Sequence, residues 1–303
     1  MVDSYKVLIL GYGEMGHAME FLLAEHHQLF IWDKFPQPGF QSVVLEECVP
    51  DMDIILLCLP VNPHREVLEK IKPLLADHTI CLSIAKGLDE EGQTAPQILK
   101  QVLQDQPHAL LYGPMISEEI RAGRYAFAQV GSRTNEVYKR ISTLFSNTKL
   151  FTEQTSDIAG ITWSVILKNV YALVFGMADQ LQLGDNTRGF FMVTALRELE
   201  QIVIKMGGKP ASPFHLAGLG DLVATATSKG SHHHELGRML ARGETGNIRG
   251  EGVHTLLMIE KHRLVQTAAF PLMQMLQQII KQPQHAGQKI DAFIQQHYSN
   301  EAR

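Results

Sequence analysis

Cysteine is scarce in this sequence, and the three residues present form no metal-binding pattern. Cys48, Cys58 and Cys81 lie in or beside apolar runs, without a CxxC pair or a histidine at metal-ligand spacing. Free, buried thiols are the simplest interpretation, and they are typical of a reducing compartment. We therefore expect a cytoplasmic protein.

An excess of positive charge is also missing. The formal net charge is −5, and acidic and basic residues are mixed throughout the chain. No basic stripe is available to displace counterions from a phosphate backbone, so nucleic acid is not expected as a partner.

Long uninterrupted apolar runs are absent as well. The apolar stretch near Val165 is interrupted by Lys168 and Asn169 before it could span a bilayer. A turn motif begins already at Gly11, which leaves no room for a signal peptide before it. The sequence therefore predicts no membrane span and no secretion signal.

The composition that remains is that of a globular protein. Hydrophobic residues make up 45% of the 303 residues and charged residues 19%, which indicates a sizeable packed core. This length accommodates a cofactor domain and a substrate domain.

The first half alternates short apolar runs with helical patterns, which is typical of βαβ units and a parallel sheet. One predicted helix spans Pro63–Leu75, with apolar residues at helical spacing. The predicted strands are Lys6–Leu10, Leu29–Trp32, Asp53–Leu59, Thr79–Ser83, Ala109–Leu111 and Ala126–Val130. The fold class predicted for this half is α/β, a Rossmann-type doubly wound sheet.

After about Phe151 helical periodicity dominates, as in Asp157–Leu181 and Gly189–Met206. Turn signals at Gly184–Asp185, Gly207–Gly208 and Gly243–Gly246 separate the predicted helices. We therefore expect a dinucleotide-binding domain at 1–155 and an all-helical substrate and catalytic domain at 156–303.

A GxGxxG motif, Gly11-Tyr12-Gly13-Glu14-Met15-Gly16, directly follows the first predicted strand and opens a helical pattern. Its glycines permit a tight turn, close approach of a pyrophosphate, and close packing of helix on strand. Asp33 ends the next strand about 20 residues further on, where a carboxylate binds the ribose 2′-hydroxyl of NAD. Three alternatives remain. Lys34 could reach the 2′-phosphate of NADP, and FAD-binding folds share the same glycine motif. Glycines also occur in ordinary turns that bind no nucleotide.

Further short segments follow along nearly the whole chain. They are Asp53–Pro60 (DIILLCLP), Ser83–Leu88 (SIAKGL), Gly113–Pro114, Glu118–Glu119, Asp157, Gly160, Leu167–Asn169 (LKN), Gly184–Arg188 (GDNTR), His215–Thr225 (HLAGLGDLVAT) and Glu251–Val253 (EGV). In this order and spacing, they resemble the NAD(P)-dependent glycerol-3-phosphate dehydrogenases.

This resemblance implies reduction of dihydroxyacetone phosphate to sn-glycerol 3-phosphate by NADH, and the reverse reaction. It also implies a homodimer and a role in phospholipid biosynthesis. The matching catalytic residues are Lys168, Lys86 and Asp221, with Asn169 and Thr225 beside the substrate. Pro60 and Glu251 match positions near the cofactor.

The chemistry explains why a lysine would be needed. Adding hydride to a ketone leaves negative charge on the carbonyl oxygen, and Lys168 could stabilise that charge and donate a proton. A neighbouring carboxylate such as Asp221 would keep the ammonium charged. From the residues alone, Lys168 could equally be an exposed helix lysine, Lys86 a loop lysine, and Asp221 a helix N-cap.

The sequence departs from the family where the substrate phosphate is held. Relatives carry arginine and asparagine at positions occupied here by His232 and His233, which offer less charge to a phosphate. Two smaller departures, Met115-Ile116 and Ser164-Val165, place larger side chains near the site.

These departures leave two alternatives open, a dehydrogenase that reduces a different small anionic ketone and an NAD-binding protein without activity. No metal site is expected from His232–His234, because neighbours on a helix point about 100° apart.

Overall fold

The computed structural model describes residues 4–37, 39–228, 230–246 and 248–301. Its contacts divide the chain into two compact units. The first unit contains residues 1–89 and 93–162, and the second contains residues 90–92 and 163–303.

The first unit is built on a seven-stranded sheet in the order β2-β1-β3-β4-β5-β6-β7. The strands are β1 (Lys6–Leu10), β2 (Gln28–Trp32), β3 (Ile54–Leu57), β4 (Ile80–Ser83), β5 (His108–Tyr112), β6 (Ala126–Ser132) and β7 (Leu150–Thr155). The strands β1 to β5 are parallel, β6 runs antiparallel to β5, and β7 pairs in parallel with β6. Because β1 lies between β2 and β3, the chain reverses its winding direction next to β1, where α/β sheets bind ligands.

The six predicted strands are all present, and the predicted Rossmann-type fold class is confirmed. The sequence analysis missed β7, which pairs with β6 from Leu150 to Thr155. Its sequence, LFTEQT, is mostly polar, and the strand pairs only on one side at the sheet edge, so it lacks the apolar run of a central strand. The sheet is mostly parallel, as expected, and the β5–β6 pair is its antiparallel exception.

Six α-helices complete the described part of the first unit, and one buried apolar core joins α1, α5 and α6 to β1, β3, β4, β5 and β6. They are α1 (Glu14–Leu23), α2 (Leu45–Cys48), α3 (His64–Ile71), α4 (Ala95–Leu103), α5 (Ser117–Arg121) and α6 (Asn135–Leu144). The predicted helix Pro63–Leu75 is α3 followed by a short 3₁₀ turn at Lys72–Leu74, where Pro73 cannot continue the α-helical hydrogen bonds. Met115 lies in this core rather than on an open surface.

In the described part of the second unit, the secondary structure is entirely helical. The helices are α7 (Ile158–Gln180, which begins in the first unit), α8 (Gly184–Lys205), α9 (Asp221–Thr227), α10 (His232–Ala241), α11 (Glu251–Lys261), α12 (Pro271–Lys281) and α13 (Ala286–Glu301). The predicted turn at Gly184–Asp185 is wrong in part, because both residues belong to the first turn of α8. Gly184 has a positive φ of 78°, which glycine adopts easily, and Asp185 suits a helix N-terminus.

Among the described helices, α7 is long and apolar enough to cross a membrane by length and composition. However, 89% of its most apolar 18-residue window is buried inside the protein. The same helix packs closely against α10, where a Cβ at Gly237 would lie 2.1 Å from the carbonyl oxygen of Leu173. The apolar surface of α7 therefore faces protein.

Glu198 of α8 is a buried carboxylate, with 6% of its surface exposed. It accepts the backbone N–H groups of Leu272 (2.6 Å) and Met273 (3.0 Å) at the start of α12, and the hydroxyl of Tyr171 (2.9 Å). Burial raises the pKa of Glu198 to about 7, although these three donors favour the ionised form. The carboxylate thereby joins α7, α8 and α12 at one point.

This raised pKa predicts a pH dependence of stability. Folding holds the proton of Glu198 more tightly than the unfolded chain does, so its contribution is fully present below about pH 4.5 and is lost as the pH rises through about 7. In Glu198→Gln the side chain stays neutral and this loss disappears. Between pH 5 and pH 8 the wild type should lose up to about 3 kcal/mol of unfolding free energy relative to Glu198→Gln.

Urea unfolding of both proteins at the two pH values measures this difference. Glu200→Gln, on the same helix, controls for the loss of one carboxylate. If the unfolding free energies of the wild type and Glu198→Gln differ by the same amount at both pH values, the prediction is contradicted.

Candidate functional site

Lys168 is buried in the middle of α7, with 4% of its surface exposed. Its ammonium donates a hydrogen bond to the hydroxyl of Thr225 (Nζ to Oγ1, 2.8 Å) and forms an ion pair with Asp221 (Nζ to Oδ2, 3.1 Å). The interpretation of Lys168 as an exposed helix lysine is therefore wrong. Lysine is almost never fully buried unless its charge is paired, and Asp221 supplies that pair here.

The partners of Lys168 come from the first two turns of α9. Thr225 donates its hydroxyl hydrogen to the carbonyl oxygen of Asp221 (2.7 Å), so its oxygen presents lone pairs to the ammonium. A π-helical turn at Leu216–Gly220 leads directly into α9. Gly220 occupies the N-cap position and Asp221 is the first helical residue, so the N-cap interpretation of Asp221 is wrong.

Asn169 follows Lys168 and links α7 to the start of α11. Its Nδ2 donates to the carboxylate of Glu251 (Oε2, 2.8 Å). A Cβ at Gly252 would lie 2.3 Å from the carbonyl oxygen of Asn169, so only glycine allows α11 to approach this closely. In the described part of the chain, the buried Oδ1 of Asn169 accepts no hydrogen bond, which leaves it available to a donor on a ligand.

The three consecutive histidines begin α10 and have different surroundings. His234 is buried and its Nε2 contacts Asp179 (Oδ2, 2.7 Å). His232 is exposed, and its Nε2 contacts the carbonyl oxygen of Arg249 (3.1 Å), so this nitrogen is the donor. His233 is half-buried, with its ring centroid 6.1 Å from that of His232. No group of three or more His, Cys, Asp or Glu side chains that could hold a metal ion occurs among the described residues.

The sequence analysis did not single out Asp179, at the end of α7. Besides His234, its carboxylate pairs with Arg188 of α8 and with Arg238 of α10 (3.7 Å). These contacts fix the start of α10, which carries the histidines. A single acid at the end of an otherwise apolar helix is the signal that could have identified it.

In the first unit, the glycine-rich turn has the geometry that a dinucleotide requires. Gly11 has a φ of 96°, and its N–H donates to the carbonyl oxygen of Trp32 (2.8 Å). A Cβ at Gly16 would lie 2.2 Å from the carbonyl oxygen of Gly11. By contrast, a Cβ at Gly13, the N-cap of α1, would meet nothing within 4 Å. Open space in front of a helix N-terminus fits a pyrophosphate.

Asp33 follows β2 and is held beside this turn. Its carboxylate accepts the backbone N–H groups of Tyr12 (2.7 Å) and Phe35 (2.8 Å). Each oxygen keeps a further lone pair for a sugar hydroxyl. Lys34, the residue that left NADP open, pairs with Glu66 (2.9 Å) on the surface. The site therefore fits a ribose with free hydroxyl groups, as in NAD.

The other predicted residues of this unit also lie at the carboxyl ends of its parallel strands. Pro60 follows β3 and is exposed. Lys86 follows β4, and its ammonium lies 3.4 Å from the carbonyl oxygen of Gly113 after β5. Glu14 and Met15 begin α1, where Glu14 pairs with Arg121 (3.2 Å). The structure thus places the predicted cofactor residues of this unit at one edge of the sheet, and Glu251 in the helical unit beside Asn169.

Comparison with known proteins gives consistent similarities. Sequence models of the NAD-dependent glycerol-3-phosphate dehydrogenase N-terminus and C-terminus match residues 34–138 and 157–291. A glycerol-3-phosphate dehydrogenase [NAD(P)+] of Clostridium acetobutylicum is 30% identical over 261 residues, covering 78% of this chain and 79% of the relative. The enzyme of the same name from Saccharophagus degradans is 29% identical, covering 97% and 91%.

A solved structure of glycerol-3-phosphate dehydrogenase from Coxiella burnetii has a similar fold. The TM-score is 0.83 at 24% identity, and the match covers 96% of this chain and 99% of that one.

Replacement of Gly13 and of Gly16 by alanine should affect different properties, NADH binding in the first case and stability in the second. In Gly13→Ala the new methyl group enters open space at a φ of −81°, so the unfolding free energy should change by less than about 0.5 kcal/mol. The methyl group should block the pyrophosphate and weaken NADH binding at least about tenfold, or 1.4 kcal/mol. In Gly16→Ala the methyl group meets backbone, and stability should fall by about 1–3 kcal/mol.

Fluorescence titration with NADH and thermal unfolding measure the two effects. Unchanged NADH affinity in Gly13→Ala would show that the pyrophosphate does not approach this glycine.

Proposed function

The chain belongs to the NAD-dependent glycerol-3-phosphate dehydrogenase family, and from that membership we propose that Lys168 is the proton donor in its interconversion of dihydroxyacetone phosphate and sn-glycerol 3-phosphate. It is an NAD(P)-dependent oxidoreductase that acts on a CH–OH group. The observation that carries the proposal is the buried Lys168 ammonium, held by Asp221 and Thr225.

The roles of the three residues follow from their contacts. When bound, NADH supplies a hydride to the carbonyl carbon of the substrate. The ammonium of Lys168 stabilises the negative charge that develops on the carbonyl oxygen and then donates its proton there. Asp221 favours the charged form of the lysine, and Thr225 fixes the direction of its Nζ. In the oxidation of the alcohol, the lysine takes the proton back.

We assign the cofactor to the first unit. Gly11-Tyr12-Gly13-Glu14-Met15-Gly16 and Pro60 would hold the pyrophosphate and the neighbouring part of NAD, and Asp33 the ribose. Glu251 would lie on the nicotinamide side, as in the family. NADP is a possible second cofactor, since the relatives are named for both. The functional division that we propose is a cofactor domain at 1–155 and a helical substrate and catalytic domain at 156–303.

Further residues are assigned to the substrate. Lys86, at the sheet edge of the first unit, is one of them. Asn169, in the helical unit, is another, and its Oδ1 accepts no hydrogen bond from the described residues. His232 and His233 occupy the family's phosphate-binding positions. We expect both histidines to contact the phosphate, and for His232 that contact would replace the hydrogen bond from its Nε2 to the carbonyl oxygen of Arg249. The same departure keeps a different anionic ketone as the second candidate substrate.

We further propose that the protein acts in the cytoplasm as a homodimer, and that its sn-glycerol 3-phosphate is used in phospholipid biosynthesis. The free cysteines, of which Cys48 and Cys81 are buried, are consistent with a reducing compartment.

Replacement of Lys168 tests the proposed proton donor. Lys168→Ala should lower kcat for dihydroxyacetone phosphate reduction by about 10²–10⁴-fold, because general acid catalysis is lost, while NADH affinity is kept. Loss of the lysine removes the ammonium that pairs with the buried carboxylate of Asp221, which costs about 3–5 kcal/mol. The double variant Lys168→Met/Asp221→Asn removes both charges at similar volume and keeps the test independent of folding.

The assay follows NADH oxidation with dihydroxyacetone phosphate. Lys281→Ala, a half-exposed lysine of the same unit, serves as the control and should be fully active. More than a tenth of wild-type kcat in both Lys168 variants would rule out this lysine as the proton donor.

A substrate pair tests the phosphate site. His233→Ala should raise KM for dihydroxyacetone phosphate by about tenfold, the equivalent of one hydrogen bond to a charged group. It should leave kcat/KM for unphosphorylated dihydroxyacetone unchanged, because that substrate has no phosphate to lose. His285→Ala, an exposed histidine, is the control.

Carboxylated ketones of similar size complete the panel. Turnover of one of them without turnover of dihydroxyacetone phosphate would favour the second candidate substrate. If His233→Ala lowers kcat/KM equally for dihydroxyacetone phosphate and for dihydroxyacetone, then His233 does not bind the phosphate.

A further inference from the structure

His64 is a fully buried histidine at the start of α3, with no exposed surface, and none of the roles above includes it. Its imidazole lies between the segment that follows β3 and the last residue of β4. The Nδ1 is 2.8 Å from the carbonyl oxygen of Pro60, and the Nε2 is 2.9 Å from the hydroxyl oxygen of Ser83. Pro60 belongs to the proposed cofactor site, and Ser83 begins the segment that carries Lys86.

The two contacts determine how the ring is protonated. A carbonyl oxygen only accepts hydrogen bonds, so Nδ1 carries the hydrogen and donates it to Pro60. The Nε2 of this neutral ring is then an acceptor, and the hydroxyl of Ser83 donates to it. Burial lowers the pKa of His64 to about 4, which keeps the ring neutral near pH 7.

The chain of hydrogen bonds continues to the residue before Lys86. The oxygen of Ser83, having donated its hydrogen to His64, accepts the backbone N–H of Ala85 (3.2 Å). On the other side, the carbonyl oxygen of Ala85 accepts the hydroxyl of Tyr112, from the end of β5 (2.8 Å). The backbone of Ala85 is therefore held at both polar groups, and the direction in which Lys86 leaves the sheet is set.

We propose that His64 is a positioning residue that fixes the cofactor segment at Pro60 and the Lys86 segment relative to each other through Ser83. This inference rests on the proposed function for the role of Lys86, whereas its effect on Pro60 concerns NADH binding alone. A neutral imidazole offers one donor and one acceptor in a rigid plane. An aliphatic residue of similar size would leave the carbonyl of Pro60 and the buried hydroxyl of Ser83 without this partner.

Four variants test the proposal. His64→Leu removes both hydrogen bonds of the ring, and His64→Gln can keep one donor and one acceptor. Ser83→Ala removes the connection from His64 to Ala85 but keeps the hydrogen bond from His64 to Pro60. The fourth is the double variant His64→Leu/Ser83→Ala. The matched control is His108→Leu, since the His108 ring also contacts a backbone carbonyl, that of Gln106 (2.8 Å), but at the opposite end of the sheet.

We expect His64→Leu to weaken NADH binding by about fivefold and to lower kcat for dihydroxyacetone phosphate by about tenfold. His64→Gln should recover part of both losses. Ser83→Ala should lower kcat severalfold with little effect on NADH affinity. The double variant should be no worse than His64→Leu, because both changes interrupt the same chain of hydrogen bonds. His108→Leu should lower Tm without changing either parameter.

NADH affinity by fluorescence titration and steady-state kinetics, both well below Tm, separate positioning from a loss of stability. A lower Tm in His64→Leu with kcat and NADH affinity within about twofold of wild type would overturn the proposal. If His64→Leu does not fold, an unchanged kcat in Ser83→Ala would overturn it equally. Should the wild type fail to reduce dihydroxyacetone phosphate, the proposed function fails, and the NADH affinities of the His64 variants still decide this inference.

Discussion

The interaction on which the helical unit depends is the buried ion pair between Lys168 and Asp221. Removing both charges from water is expensive, and the pair is tolerated only where further hydrogen bonds complete its surroundings. Thr225 provides one such bond, and it is itself oriented by the backbone of Asp221. Well-packed apolar residues often stabilise a fold as much as a buried ion pair does, so stability alone does not explain why these charges are retained, in agreement with the role proposed for Lys168.

Close helix contacts surround this pair. Near Asn169, Gly252 allows α11 to meet the backbone of α7, and further along the same helix Gly176 and Gly237 allow α10 to do so. The buried apolar side chains of α7 fill the remaining space, and the Asp179 cluster fixes the end of the helix and the start of α10. Because these contacts involve backbone, small shifts are opposed, and the groups around Lys168 stay in place.

The first unit uses hydrogen bonds for the same purpose at the edge of its sheet. Asp33 holds the turn after β1 through Tyr12, and His64 joins the segments after β3 and β4. In both cases a side chain satisfies backbone groups that the strands leave unpaired where they end. The loops at this edge are therefore held by specific partners although they carry no regular structure.

Sequence patterns alone determined the fold class, six of the seven described strands, and the glycine-rich turn with Asp33, because periodicity and motif spacing are local properties of the chain. The family followed from the resemblance of further segments to known proteins. The patterns could not distinguish a buried Lys168 from an exposed one, since its burial depends on α9, which lies more than fifty residues away. The edge strand β7 and the hydrogen bonds of His64 and His232 were equally hidden. Each depends on a partner outside its own strand or helix, and only the tertiary structure decides which polar groups meet.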